Sequence, residues 1–172
     1  MSLKQINQTE RLSSRPKMRM SRREETQVTY EQLWDKDPEQ FHLNRSARSR
    51  SCAQAAWELI KKLPIQTACD LGSGCGYFTK RLHDQGITVE AVDIAKPALA
   101  LLSELPERQK IQAYVPYTPL PDHHYDLVIA YDLIASIPDS EQRLFFSELS
   151  RLAKDNGTIL VSTNLDINSE NP

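Results

Sequence analysis

The residues best equipped for chemistry fall in one run, Asp70-Leu71-Gly72-Ser73-Gly74-Cys75-Gly76, which follows directly on an apolar stretch. Three alternating glycines permit positive φ in a tight turn and let a ligand lie against the backbone. An acid, Asp93, follows 17 residues after Gly76, at the end of the next apolar run. A carboxylate in that position can accept hydrogen bonds from both hydroxyls of a ribose. The spacing separates competing ligands. A dinucleotide turn requires G-x-G-x-x-G, and Tyr77 stands where its third glycine belongs, which disfavours a dehydrogenase. A P-loop requires Gly-Lys-Ser/Thr after four residues, which this run lacks. Asp70 would repel a diphosphate. A ligand carrying a cation and a ribose, without phosphate, suits these charges better.

The elements that must position this turn alternate in type. Apolar runs at Thr67–Leu71, Thr88–Val92, Lys110–Val115, Tyr125–Tyr131 and Thr158–Thr163 read as strands. Amphipathic stretches lie between several of them: Tyr77–Gln85, Pro97–Leu105 and Asp139–Lys154. Asp139 with Gln142 outlines a capping box, and Asn156-Gly157 is a stop signal. Ahead of the first strand, Cys52, Ala55, Ala56, Leu59, Ile60 and Leu63 trace one face of a helix ending before Pro64. Strands alternating with helices indicate an α/β fold with a doubly wound, mostly parallel sheet of about five strands. Ligands of such sheets sit at the carboxyl ends of the strands, where the glycine turn belongs.

The chain is 172 residues long and 40% apolar, enough for one domain with a sizeable core. No apolar run approaches the ~18 residues of a membrane span, and no secretory leader is visible, so a cytoplasmic protein is expected. Cys52, Cys69 and Cys75 lack metal-ligand spacing, and a disulfide scaffold is not expected. Residues 1–23 hold seven of the 21 Lys and Arg but one acid, Glu10. Residues 1–26 are therefore expected to form a basic disordered tail, and 27–172 the folded domain. His123 and His124 follow Pro121-Asp122 and read as turn residues, not metal ligands.

Four blocks, in order, resemble those of the class I S-adenosylmethionine-dependent methyltransferases, over roughly residues 50–165. Cys69–Gly76 is similar to the family's first motif and Ala91-Val92-Asp93-Ile94 to its second. Tyr125–Ile134 resembles the fourth-strand block, and Glu148–Thr158 the E-x-x-R-x-L-K-x-G-G region. The resemblance implies a Rossmann-like sheet, S-adenosyl-L-methionine as cofactor, and in-line methyl transfer. It places Gly72, Ser73, Gly74 and Gly76 around the methionine moiety, with Asp70 near its amino group. It also gives Asp93 the ribose, Ile94 the adenine, and Asp132 and Leu133 the border beside the transferred methyl. The family's strands six and seven have no counterpart, which implies either a truncated chain or a partner over the fifth strand's edge.

Departures from the family pattern bear on the acceptor. Pro116 stands where many relatives place an adenine-binding acid, and Ser136 where they often carry a histidine, so no general base is assigned. The amine-methylating Asp/Asn-Pro-Pro-Tyr/Phe block of nucleic-acid enzymes is replaced by Ala130-Tyr131-Asp132-Leu133, and no cysteine lies beyond Cys75. A small-molecule methyl acceptor is the expectation. Residues 27–46 then form a lid whose Tyr30 and Trp34 touch it, or else a helix packed on the domain edge. A non-catalytic binding module is the first alternative. The second is an RNA enzyme anchored by the basic tail, whose binding would weaken steeply with salt.

Overall fold

The computed structural model describes residues 21–41 and 47–162. Five strands, β1 (Thr67–Leu71), β2 (Thr88–Asp93), β3 (Lys110–Gln112), β4 (Tyr125–Ala130) and β5 (Ala153–Val161), form one all-parallel sheet in the order β3-β2-β1-β4-β5. The chain reverses direction across the sheet between β1 and β4, which creates a switch point beside the glycine turn. Among the described residues five α-helices, α1 (Arg22–Lys36), α2 (Ala47–Ile60), α3 (Tyr77–Asp84), α4 (Lys96–Ala100) and α5 (Gln142–Leu152), surround it. No helix among the described residues is long and apolar enough to cross a membrane.

The strand period of two divides the core between the sheet's faces. Ala68, Val89, Ala91, Leu127 and Ile129 pack with Ala53 and Ile60 of α2, Phe78 and Leu82 of α3, and Leu99 of α4. Cys69, Leu71, Val92, Val128 and Ala130 pack with Phe145, Leu149 and Leu152 of α5. Burial pushes the Cys69 thiol well above its usual range, as befits a core cysteine.

Two polar clusters hold the connections. Asp126, at the start of β4, accepts from the Gln66 and Thr67 amides and the Thr67 hydroxyl and pairs with Lys154 at 2.7 Å. Those bonds hold its carboxyl well below the usual range and tie β1 to β4 at the end remote from the glycine turn. Arg151 forks onto Glu148 with two 2.8 Å bonds and donates to the Leu120 carbonyl, while Thr118 donates to Glu148. The segment between β3 and β4 is thereby clipped to α5. Its end is closed by the His123 and His124 amides, which donate to the Arg151 and Leu152 carbonyls and satisfy the end of α5.

Several boundaries differ from the sequence reading. Helix α1 begins at Arg22, so residues 22–26 are helical instead of part of a disordered tail; residues 1–20 lie outside the described residues. Its start is a capping box in which the Glu24 amide donates to the Ser21 hydroxyl and the Ser21 amide to the Glu24 carboxylate. The buried face of α2 is Ala53 and Ile60, with Ala56 and Trp57 half-buried; Cys52, Ala55 and Leu59 are exposed. That is a rotation of one position, favoured because it packs the Trp57 ring against the core. Asp139 opens a 3-10 turn, with Gln142 bonded to its carboxylate at 3.0 Å, and α5 proper begins at Gln142. β3 stops at Gln112, whereas β5 starts earlier, because Ala153 pairs with Tyr125 before the register shift that brings Thr158 opposite Leu127.

Candidate functional site

The turn after β1 lies at the carboxyl ends of the central strands. Gly72, Gly74 and Gly76 all adopt positive φ, at +68°, +50° and +82°. The Gly72 and Ser73 amides donate to the Val92 carbonyl, which fastens the turn to β2. A Cβ on Gly74 would press the Trp34 ring at 3.3 Å, and one on Gly72 would meet Leu133 at 2.9 Å. These two glycines therefore keep the turn clear where side chains from α1 and the segment after β4 close over it. Gly76 serves packing instead, since a Cβ there would collide with Leu102 beneath α3.

A cavity of about 490 Å³ opens over this turn. Its floor includes Asp70, Gly72, Ser73, Gly74, Asp93 and Ile94, and its far wall Asp132, Leu133 and Ser136. Tyr30 and Trp34 line it from above. Of the residues singled out in the sequence, Gly76 alone does not reach it.

The two buried acids are held differently. Asp93 accepts the Gly74 amide on Oδ2 and the Ala95 amide on Oδ1, both at 2.9 Å. Burial outweighs these bonds and raises its carboxyl above the ordinary value. Each oxygen keeps a further lone pair for a ligand hydroxyl. Asp70 is 3% exposed and takes two bonds on Oδ2, from the Thr79 hydroxyl at 2.6 Å and the Thr79 amide at 3.2 Å. Burial, aided by the nearby Asp93 charge and opposed by the Thr79 bonds, pushes its carboxyl up to about 6. The Ser73 Oγ beside them is buried and has no hydrogen-bond partner among the described residues. A floor with two carboxylates under desolvation and an orphaned hydroxyl suits a ligand that brings both positive charge and hydroxyl groups.

Over the cavity lies α1, followed by the 3-10 turn Pro38–Phe41. Thr26, Tyr30 and Trp34 recur at four-residue spacing, which puts them on one helical face, and all three line the cavity. Trp34 is 4% exposed and stacks on Phe41 with ring centroids 4.6 Å apart. The Tyr30 hydroxyl donates to Ser136 Oγ at 2.7 Å, and Gln112 donates to Glu31 at 2.9 Å, so α1 is tied to the 3-10 turn after β4 and to the end of β3. His42 and Arg45 lie outside the described residues.

At the opposite rim Asp132 has φ +56°, a left-handed conformation held by its amide's 2.8 Å bond to Ser162 Oγ. Partial burial raises its carboxyl above the ordinary value. Cys75 also lines the cavity; burial raises its thiol, which makes it a filler rather than an activated nucleophile.

Sequence reasoning passed over Thr26, Ser49, Phe78, Tyr114, Val115 and Tyr131 as lining residues. Thr26 was legible from Ser21-x-x-Glu24, a capping-box pattern that extends α1 upstream and puts Thr26 in phase with Tyr30. Tyr114 and Val115 follow β3 and reach the cavity because that strand ends early.

Residues 69–161, more than half the chain, match the family model described as a methyltransferase domain. Among solved structures, the chain is similar to the PH0226 protein of Pyrococcus horikoshii, at 24% identity and a TM-score of 0.59, covering 70% of this chain and 56% of that one. It is also similar to a Haemonchus contortus phosphoethanolamine N-methyltransferase solved with phosphoethanolamine and S-adenosylhomocysteine. There the identity is 19% and the TM-score 0.63, covering 86% of this chain and 34% of that one. A third, DhpI in a SAM-HEP complex, has 19% identity and a TM-score of 0.63, covering 88% and 70%. The chain thus spans little more than half, or about a third, of the first two structures it matches. No curated protein matches it. The family match begins within β1 and ends with β5, taking in the glycine turn and the strand ends that frame the cavity, and on that ground the chain belongs to the class I S-adenosylmethionine-dependent methyltransferases.

Proposed function

We propose that this chain binds S-adenosylmethionine over its glycine turn and transfers the methyl group to a small-molecule acceptor. The observation that carries this reading is the roofed cavity, whose volume of about 490 Å³ falls in the range of small-ligand sites. Asp93 would take the ribose hydroxyls, Asp70 the ammonium of the methionine moiety, and Ser73 Oγ a polar atom near it, with Ile94 against the adenine. The cofactor, when bound, supplies an activated methyl group on a cationic sulfur. What remains for the protein is proximity and alignment, together with exclusion of water by α1. The lid argues for a small acceptor, because Trp34 and Tyr30 stand between the glycine turn and solvent where a duplex would otherwise approach.

Calorimetric titration of the chain with S-adenosylmethionine, S-adenosylhomocysteine and NADH tests the reading, with Asp93→Ala as control. Micromolar binding of the first two, weakened at least about tenfold in the variant, is expected for loss of a charge-assisted contact. Binding of NADH alone, or no binding by a folded sample, would overturn it.

A further inference from the structure

Two hydroxyls that line the cavity, on Tyr114 and Thr26, have their protons already committed. Tyr114 follows the end of β3, is buried, and donates its hydroxyl to the Glu141 carboxylate at 2.6 Å. Burial and that carboxylate push the phenol up to about 12, so it keeps its proton at neutral pH. The Arg22 guanidinium opposes this rise, which sets the first turn of α1 within electrostatic reach of the same hydroxyl. A phenol has one proton, and with it given to Glu141 the oxygen can only accept from a ligand. Thr26 repeats the arrangement, because its hydroxyl donates to the Arg22 carbonyl one turn back at 2.8 Å. This end of the cavity lies beyond Asp93 from the glycine turn. β3 flanks β2 on the side away from β1, and the Ala113 amide donates to the Asp93 carbonyl at 3.0 Å. A cofactor with its methionine moiety over the turn and its ribose at Asp93 would carry its base here, beside Ile94. Pro116, where many relatives place an adenine-binding acid, has no side-chain acceptor to offer.

We propose that Tyr114 and Thr26 read the exocyclic amine of the cofactor's adenine, through two hydroxyl oxygens whose protons Glu141 and the Arg22 carbonyl have taken. The proposal rests on the methyltransferase reading above and adds to it the residues that select the base. Adenine carries an amino group, a donor, where hypoxanthine carries a carbonyl oxygen, an acceptor. Two accepting oxygens satisfy the first and repel the second, and neither hydroxyl can turn to donate without breaking a bond it already makes. Glu141, in the 3-10 turn Asp139–Glu141, is not among the described residues that line the cavity. It is a positioning residue, acting through the direction of the Tyr114 proton. If Tyr114 served packing alone, a change at Glu141 would leave the choice of base untouched.

Calorimetry on the full chain compares S-adenosylhomocysteine with S-inosylhomocysteine, in which a carbonyl oxygen replaces the amino group of the base. The parent is expected to bind the adenine compound at least about tenfold more tightly, as hydrogen bonds made to one base and lost to the other require. In the double variant Thr26→Val, Tyr114→Phe both oxygens are gone, and the ratio should fall to within about threefold. Glu141→Gln keeps both oxygens but can donate an amide N–H to Tyr114, which frees the phenol proton for a carbonyl. There the ratio should fall at least about threefold, with S-adenosylhomocysteine still bound. Circular dichroism checks the fold of each, and Glu141→Gln decides alone if the double variant does not fold. A parent without the preference, or a parental ratio in either folded variant, overturns the proposal and leaves the methyltransferase reading standing. If S-adenosylhomocysteine does not bind a folded parent, both fail.

Discussion

Burial without a counter-charge leaves the Asp70 carboxyl at about 6, against 3.8 for an ordinary aspartate. An acid whose folded pKa is raised opposes folding once ionised: its protonated form is favoured by the native state, so stability falls as pH rises from about 4 through about 6. The shift corresponds to about 3 kcal/mol for this buried group. Asp70→Asn keeps an oxygen for the Thr79 hydroxyl but removes the charge. At pH 8 the variant is expected to resist urea better than the parent, by up to about 3 kcal/mol, while its affinity for S-adenosylmethionine falls at least tenfold. In the parent the same group makes cofactor binding pH-dependent. An ionised Asp70 is the form that receives an ammonium, so the dissociation constant measured at pH 5 should be about tenfold weaker than at pH 7. Urea melts and calorimetry check both halves. A variant no more stable than the parent would mean that Asp70 is not under the desolvation described.

At the scale of elements, α1 has a helical pattern of its own but little apolar surface. Trp34 is its single fully buried side chain, and the ties to Ser136 and Gln112 are exposed hydrogen bonds. Elements anchored so sparsely open locally at a free energy below that of global unfolding. Trp34→Ala is therefore expected to speed hydrogen exchange of the α1 amides by an order of magnitude or more, with β1 and β4 exchanging at parental rates. Exchange read by mass spectrometry distinguishes this from global destabilisation, in which β1 and β4 would accelerate too. The same sparseness explains what the sequence made legible. β1, β2 and β4 stand out because their central residues are mostly apolar and buried, and the glycine turn, Asp93 and Asp132 lie at or just beyond their carboxyl ends. Helix α1 was harder to delimit because its start is written in the polar pair Ser21 and Glu24 and its first turns are rich in charge. The register of α2 was ambiguous for another reason: alanines lie on both of its faces, and only the Trp57 ring decides between them. The early start of β5 had no pattern to find, since Lys154, Asp155, Asn156 and Gly157 read as a stop and are accommodated by a bulge in the ladder.

Over the whole molecule, acids of opposite behaviour set the pH at which the fold is most stable. Glu148 is raised by burial, but the Arg151 fork and the Thr118 bonds outweigh that and leave its carboxyl below the ordinary value. Asp126 is lowered by Lys154 and by the amides at the start of β1. Groups lowered in the folded state contribute stability that is present above their unfolded values, near 4, and lost as pH falls through their folded values. Asp70 contributes the reverse, losing stability as pH rises from about 4 through about 6. The ligand-free chain should therefore have its highest Tm near pH 4, where the first slope ends and the second begins, and a lower Tm at pH 8. A cationic cofactor bound beside Asp70 reverses the upper slope, because it favours the ionised carboxylate. Saturation with S-adenosylmethionine is accordingly expected to move the Tm maximum to neutral pH or above, with the largest gain in Tm on the alkaline side. Differential scanning calorimetry from about pH 3 to about pH 8, with and without cofactor, measures this directly. A maximum that stays in place on saturation would show that the cofactor's charge does not reach Asp70. The ammonium contact would then have to be reassigned to another group on the cavity floor.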